Sequence, residues 1–427
     1  MLTKEENELV TKTGPGTPMG EVMRRYWLPA LLSWELPEPD CAPVRVKLLG
    51  EELVAFRDSG GRVGLLQELC PHRLASLFLG RNEEDGLRCV YHGWKFDVAG
   101  RCVDMPNEPS VGFKERIRPV SYPAAEIGGV IWTYMGPPAK TPPHPQFEFT
   151  QMPEQHRQLT KTWEECNWLQ GLEGGIDTAH AGILHRVLPS STGRTPGTDG
   201  YWLSSGAPEL EVHETDYGFL YTGSRPRGAE GSWVRSYHFV MPWTQIRPSQ
   251  AAGPGQRREM ISGHFWVPMD DENHMVWNWH YTLDGPIQHW DARQPPYKGG
   301  EQIPGFRKVS NRDNDWRIDR DLQKKENYTG IQGINTQDHA VQESMGRVID
   351  RTQEHLIPTD RAVVSARQLL LRAIETVQAG GDPPGVGDSY YHIRAIEDIV
   401  PPDTTWRQAL GPRIYPQAEP DRALVTA

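Results

Sequence analysis

The sequence predicts an α+β fold in two parts. A small all-β unit lies near the N-terminus, and a larger unit follows with a central antiparallel sheet covered by helices. Three observations predict this. Short period-two segments separated by glycine-bearing turns occupy much of residues 44–135. A stiff connector, Gly136-Pro137-Pro138-Ala139-Lys140-Thr141-Pro142-Pro143-His144-Pro145, then interrupts the chain. Beyond it, five more alternating segments precede two long helical patterns. The expected domains are residues 1–145 and 146–427, a division that suits a chain too long for one hydrophobic core.

The elements follow in order. Gly14-Pro15-Gly16-Thr17-Pro18-Met19-Gly20 is glycine-rich, but its third glycine comes one position late and no strand precedes it, so it is no dinucleotide fingerprint. It reads as a turn into a short helix through Glu21–Trp27. Strands are expected at Val44–Leu49, Glu52–Phe56 and Val63–Gln67, and again at Trp94–Asp97, Cys102–Met105 and Val130–Met135. After the connector, Asn167–Leu184 is helical in pattern. Strands are expected at Leu210–His213, Tyr217–Gly223, Trp233–Met241, Glu259–Pro268 and His274–Leu283. Residues 307–326 are heavily charged, an exposed helix or loop, and Asn335–Arg351 and Thr359–Val377 read as helices over the sheet.

Composition narrows the function. The formal net charge of −11 argues against a nucleic-acid partner and against an anionic membrane surface. No apolar run approaches the roughly 18 residues of a membrane span. The N-terminus, Met1-Leu2-Thr3-Lys4-Glu5-Glu6, is too polar and acidic for a secretory signal, so a cytoplasmic location is expected. Five cysteines in 427 residues form no disulfide framework.

Two of those cysteines stand in Cys70-Pro71-His72 and Cys89-Val90-Tyr91-His92. Two Cys–His pairs ask for a metal. A Rieske-type [2Fe-2S] cluster takes two Cys on one iron and two His on the other. A Cys₂His₂ zinc site takes the same donors around one ion.

A second set of donors lies in Asp177-Thr178-Ala179-His180-Ala181-Gly182-Ile183-Leu184-His185. Asp177 and His180 share one helix face, whereas His180 and His185 would point about 140° apart in a regular helix. Both reach one ion only if the helix breaks between them, and Gly182 permits that. Two His and a distant carboxylate form the facial triad that leaves positions open on iron(II). Asp338 in Gln337-Asp338-His339 is the preferred third ligand, with Glu343 and Asp350 as rivals.

Together these motifs resemble the oxygenase α subunit of the Rieske non-heme iron oxygenases. The resemblance spans nearly the whole chain and rests on Cys70-x-His72, Cys89-x-x-His92, Tyr91-His92-Gly93-Trp94, Asp177-x-x-His180-x₄-His185 and Gln337-Asp338. The opening Gly14–Gly20, Arg24-Arg25-Tyr26-Trp27-Leu28-Pro29 and Trp266-Val267-Pro268-Met269-Asp270-Asp271-Glu272-Asn273 resemble the phthalate 4,5-dioxygenase branch. The resemblance implies a [2Fe-2S] cluster on Cys70, His72, Cys89 and His92, and mononuclear iron(II) on His180, His185 and Asp338. It implies electrons from a separate flavin/[2Fe-2S] NADH reductase, O₂ as oxidant, and a homotrimer or a stacked pair of trimers. It makes Asp177 the bridge between a cluster His and an iron-ligand His across a subunit boundary. It places Asn167 near the iron, although Asn167 also suits a helix N-cap. The expected substrate is an aromatic carboxylate such as phthalate, with Arg225, Arg235 and Arg247 as candidate clamps. Ring dihydroxylation is the first reading, and O- or N-demethylation or ether cleavage the runner-up. From other classes come a Rieske electron carrier without oxygen chemistry and a zinc-stabilised binding protein.

Overall fold

The computed structural model describes residues 1–108, 110, 112–188, 207–253, 256–287 and 302–416. Three small sheets make up the N-terminal half. Val44–Leu48, Glu51–Arg57 and Val63–Gln67 pair in sequence order, and Ser121–Tyr122 adds to the last of them. Arg81–Glu83, Gly86–Arg88, Lys95–Phe96 and Cys102–Asp104 form the second sheet, also in sequence order. In the third, Val130–Tyr134 lies between Trp27–Leu32 and Ala124–Ile127. The expected helix through Glu21–Trp27 is instead Pro18–Met23, capped by Thr17, with proline at its first position. Trp27–Leu32 is buried throughout, so its apolar run lacks the alternation that marks a half-exposed strand.

Residues before this strand belong spatially to the far end of the chain. Helices Lys4–Thr11 and Pro18–Met23 pack on helix Arg361–Gln378. Trp168 Nε1 donates to the Val10 carbonyl at 3.2 Å, and Arg351 Nη1 donates to Asn7 Oδ1 at 3.0 Å.

The C-terminal half is built on one eight-stranded antiparallel sheet. Its order is Arg157–Glu164, His274–Tyr281, Gln256–Pro268, Thr244–Gly253, Ser232–Val240, Gly218–Pro226, Glu209–Thr215, with Glu397–Val400 also pairing to Ser232–Val240. The five expected strands are present. Arg157–Glu164, Thr244–Gly253 and Glu397–Val400 are additions, the second disguised by Pro248 in the middle of the strand.

The two faces of this sheet do different jobs. The rear face presents Phe265 and Trp279 to Trp132, Phe147 and Phe149, joining the sheet to the N-terminal half; Trp132 and Phe265 lie 5.7 Å apart between ring centroids. The front face carries Gln245, Arg247, His264 and Trp266, and the helix Trp168–Ile176 lies on it. That close approach requires glycine: a Cβ at Gly171 or Gly175 would run into Trp266. Helix Ile334–Ser344 packs beside Trp168–Ile176.

Candidate metal centres

The two Cys–His loops adopt one conformation twice. Cys70 N–H donates to the Ala75 carbonyl and Leu74 N–H returns to the Cys70 carbonyl, both at 2.9 Å. Cys89 N–H donates to Trp94 O at 2.8 Å and Gly93 N–H returns to Cys89 O at 3.0 Å. Each loop turns through a positive φ, at Leu74 (60°) and Gly93 (78°). The paired turns bring both sulfurs into the core beneath Trp94 and Phe96. His72 and His92 lie 4.3 Å apart between centroids, and Trp94 stacks on His72 at 4.4 Å.

This quartet fits a binuclear cluster better than one zinc ion. Tetrahedral zinc draws its four donor atoms to about 3.3–3.8 Å of one another. Among the described residues, the group whose ligand atoms all lie within 4.8 Å of each other is His180, His185 and Asp338, not any three of Cys70, His72, Cys89 and His92. His72 Nδ1 is buried without a hydrogen-bond partner, as a ligand atom would be. Burial, with Cys89 beside it, pushes the Cys70 thiol up to about 11, so a stable thiolate there calls for a cation.

The second centre forms where the front-face helix ends. Trp168–Ile176 stops at Asp177, whose backbone is extended, and a new short helix starts after His180 and runs over Ala181–Leu184. The break falls before His180 and not between the histidines as the sequence suggested; His180 and His185 flank the short helix as its N-cap and C-cap, and their side chains converge on Asp338. His180 Nε2 and His185 Nε2 lie 3.4 and 3.2 Å from Asp338 Oδ1. Octahedral ligands about 2.1 Å from an ion sit about 3 Å apart, so the trio is close to metal-binding spacing.

Both opposite ring nitrogens are held. His180 Nδ1 is 3.0 Å from Asp177 Oδ2, and His185 Nδ1 is 2.7 Å from Gln337 Oε1. Gln337 is oriented by its own Nε2, which donates to the Ile331 carbonyl at 2.8 Å. An amide oxygen only accepts, so His185 Nδ1 carries the proton and Nε2 turns its lone pair to the metal position. Burial opposes charge on His180, but Asp177 and Asp338 outweigh it and raise the ring to about 10. Asp338 is driven below its usual range despite its burial, through hydrogen bonds and charge from the two rings. Two carboxylates around two imidazoles make a site whose charge a divalent cation balances.

The remaining sequence candidates separate clearly. Glu343 is fully buried and accepts from Lys308, Trp316 and the Glu165 amide, away from the triad. Asp350 caps a surface turn through Thr352. Asn167 requires correction: it is the N-cap of Trp168–Ile176, accepting from Leu169 N–H and donating to the Thr11 and Asp271 carbonyls. It sits at the opposite end of that helix from Asp177, so its amide is a structural cap. Arg225 is buried and donates to the Thr178 carbonyl at 3.1 Å. Arg235 pairs with Glu397 at 2.8 Å and donates to Pro248 O. The structure therefore commits both to protein groups and does not offer them as clamps. Arg247 differs. It is half-buried on the front face, and among the described residues it has no hydrogen bond or ion pair. Burial and the neighbouring Arg235 lower its pKa, while Asp338 is near enough to oppose them. Sequence reasoning missed Gln245, whose Nε2 donates to Gly175 O at 2.7 Å, because its strand was hidden.

No helix among the described residues is long and apolar enough to cross a membrane. Residues 26–119 match the Rieske [2Fe-2S] domain family, and residues 133–420 match the family described as LigXa C-terminal domain like. The chain is 40% identical to the 3-chlorobenzoate-3,4-dioxygenase oxygenase subunit of Comamonas testosteroni, over 97% of this chain and 98% of that one. It is 38% identical to the phthalate 4,5-dioxygenase oxygenase subunit of Pseudomonas putida, over 95% and 94%. The crystal structure of dicamba monooxygenase bound to dicamba superposes with a TM-score of 0.59 at 18% identity, covering 83% of this chain and 98% of that one.

Proposed function

We propose, for a chain that belongs to the family of Rieske oxygenase α subunits, that it uses O₂ to hydroxylate the ring of an aromatic acid carrying one carboxylate. The observation that carries this reading is the His180–His185–Asp338 triad beside a sheet wall bearing Arg247, which has no hydrogen bond or ion pair among the described residues. Cys70, His72, Cys89 and His92 would hold the [2Fe-2S] cluster, and His180, His185 and Asp338 the mononuclear iron(II). When bound, these groups supply single electrons and the activation of O₂.

The chain's own residues do the rest. Gln337 and Asp177 keep the Nδ1 protons of His185 and His180, so both rings stay oriented through the cycle. Arg247 offers a planar fork to a carboxylate and fixes which ring carbons face the triad. With Arg225 and Arg235 committed elsewhere, one guanidinium suits a benzoate better than a dianion such as phthalate.

Electrons come from a separate flavin/iron–sulfur NADH reductase. They pass between subunits of a homotrimer, or of stacked trimers, through Asp177. Exposed apolar side chains support this association: Leu74, Val90 and Tyr91 on the cluster loops, and Ile183, Ile334 and Met345 in or at the end of the helices next to the triad. Neither set has cause to stay in water if each covers the other head to tail.

The test is turnover of the loaded protein with a surrogate reductase, a panel of ring acids, and isotopically labelled O₂. Two labelled oxygens in a benzoate-derived diol are expected, with two electrons and two protons completing the product. One labelled oxygen and a lost alkyl group would move the assignment to the dealkylating monooxygenases. O₂ uptake without product across the panel would refute the aromatic-acid reading.

A further inference from the structure

The short turn between helices Trp168–Ile176 and Ala181–Leu184 lies outside both, yet it carries Asp177 and His180. Its backbone partners can be counted. The Asp177 carboxylate accepts from Ala179 N–H at 2.7 Å and His180 N–H at 3.2 Å, as well as from the His180 ring. That occupies two of the turn's amides, and carbonyls in and just before the turn meet the sheet. Gly175 O receives Gln245 Nε2 from strand Thr244–Gly253, and Thr178 O receives Arg225 Nη2 from strand Gly218–Pro226. Thr178 is itself buried, so an unmet carbonyl there would be costly. Arg225 also lies over Trp233, its cross-strand neighbour, which limits how the guanidinium can move.

We propose that Arg225 is a positioning residue that pins the Asp177–His180 turn to the sheet, and so sets the direction in which the Asp177 carboxylate faces. The inference rests on the oxygenase reading above and adds a residue to it. A lysine at the same place would reach the Thr178 carbonyl with one donor but lose the planar contact with Trp233. It should restore function only partly, whereas an apolar residue of similar length should not.

The full chain, loaded with cluster and iron, tests this with Arg225→Met and Arg225→Lys. The first readout is amide hydrogen exchange of the peptide spanning residues 175–181. Arg225→Met should speed exchange there at least tenfold, with Arg225→Lys in between and peptides of the sheet unchanged. The second is the rate at which reduced cluster is reoxidised in the presence of aromatic acid and O₂. It should fall about tenfold or more in Arg225→Met, with KM for the acid within about twofold. A raised KM with unchanged exchange and reoxidation would make Arg225 a substrate clamp and overturn the proposal. Unchanged values throughout would overturn it as well. If Arg225→Met does not fold, wild-type behaviour of Arg225→Lys in both readouts still refutes it, because the lost fork would then be immaterial. Should wild-type protein show no acid-dependent reoxidation while the exchange pattern still follows Arg225, the oxygenase reading fails and the pinning stands.

Discussion

Arg247 is the residue whose replacement should separate function from stability most sharply. In the ligand-free protein, burial and the like charge of Arg235 lower the pKa of its half-buried guanidinium. Replacing such a cation by an apolar side chain of similar length is neutral to stabilising in general, so Arg247→Met should gain about 1 kcal/mol. In a chain of this size that is about one or two degrees in Tm. With substrate the sign reverses. A carboxylate left in a partly desolvated site without its guanidinium loses about 2–4 kcal/mol, which at about 1.4 kcal/mol per decade weakens binding about 30- to 1,000-fold. Thermal unfolding with and without a benzoate measures both effects, since bound acid raises Tm by mass action in wild type and should not in the variant. A variant that is less stable without ligand, yet binds the acid as tightly as wild type, would show that Arg247 is a structural cation and refute the substrate assignment.

Two further outcomes follow from the packing and the buried titratable groups. Gly175→Ala places a methyl group into the Trp266 ring; overpacking should outweigh the better helix propensity and cost about 1–2 kcal/mol, read by urea unfolding. His238 is buried between the Tyr217 hydroxyl (2.8 Å) and the Arg394 carbonyl (3.1 Å), and burial lowers its pKa to about 4. The fold therefore holds it neutral while the unfolded chain takes a proton below about pH 6.5. Stability should fall by about 1.4 kcal/mol per pH unit between about 6.5 and 4, or about 3 kcal/mol in all, and His238→Gln should flatten that slope.

The donors proposed for both centres were legible because metal ligands are fixed in kind and close in sequence. Cys70/His72 and Cys89/His92 each sit within one loop, and His180/His185 flank one short helix. Asp338 lies 153 residues beyond His185, and nothing local distinguished it from Glu343 or Asp350. The difference is what each faces: Glu343 is neutralised by Lys308, whereas Asp338 meets the two rings. The arginines were legible as residue types but not as roles, since partners such as the Thr178 carbonyl and Glu397 come from other strands. Asn167 fitted two readings, and the cap prevailed because the helix it starts needs its first donors satisfied. Strand Thr244–Gly253 went unread because a proline in an alternating pattern argues against a strand interior. That strand carries Gln245 and Arg247, so the wall of the proposed substrate site was the least readable part of the chain.

On the proposed function, one chain holds two separate centres, a binuclear cluster on Cys70, His72, Cys89 and His92 and a single iron on His180, His185 and Asp338. Iron and acid-labile sulfide counted in wild type and in Asp338→Ala test it directly. About three irons and two sulfides per chain are expected in wild type, and about two of each in the variant, with the colour of the cluster unchanged. Zinc without sulfide, or an Asp338→Ala protein that keeps its third iron, would contradict the account.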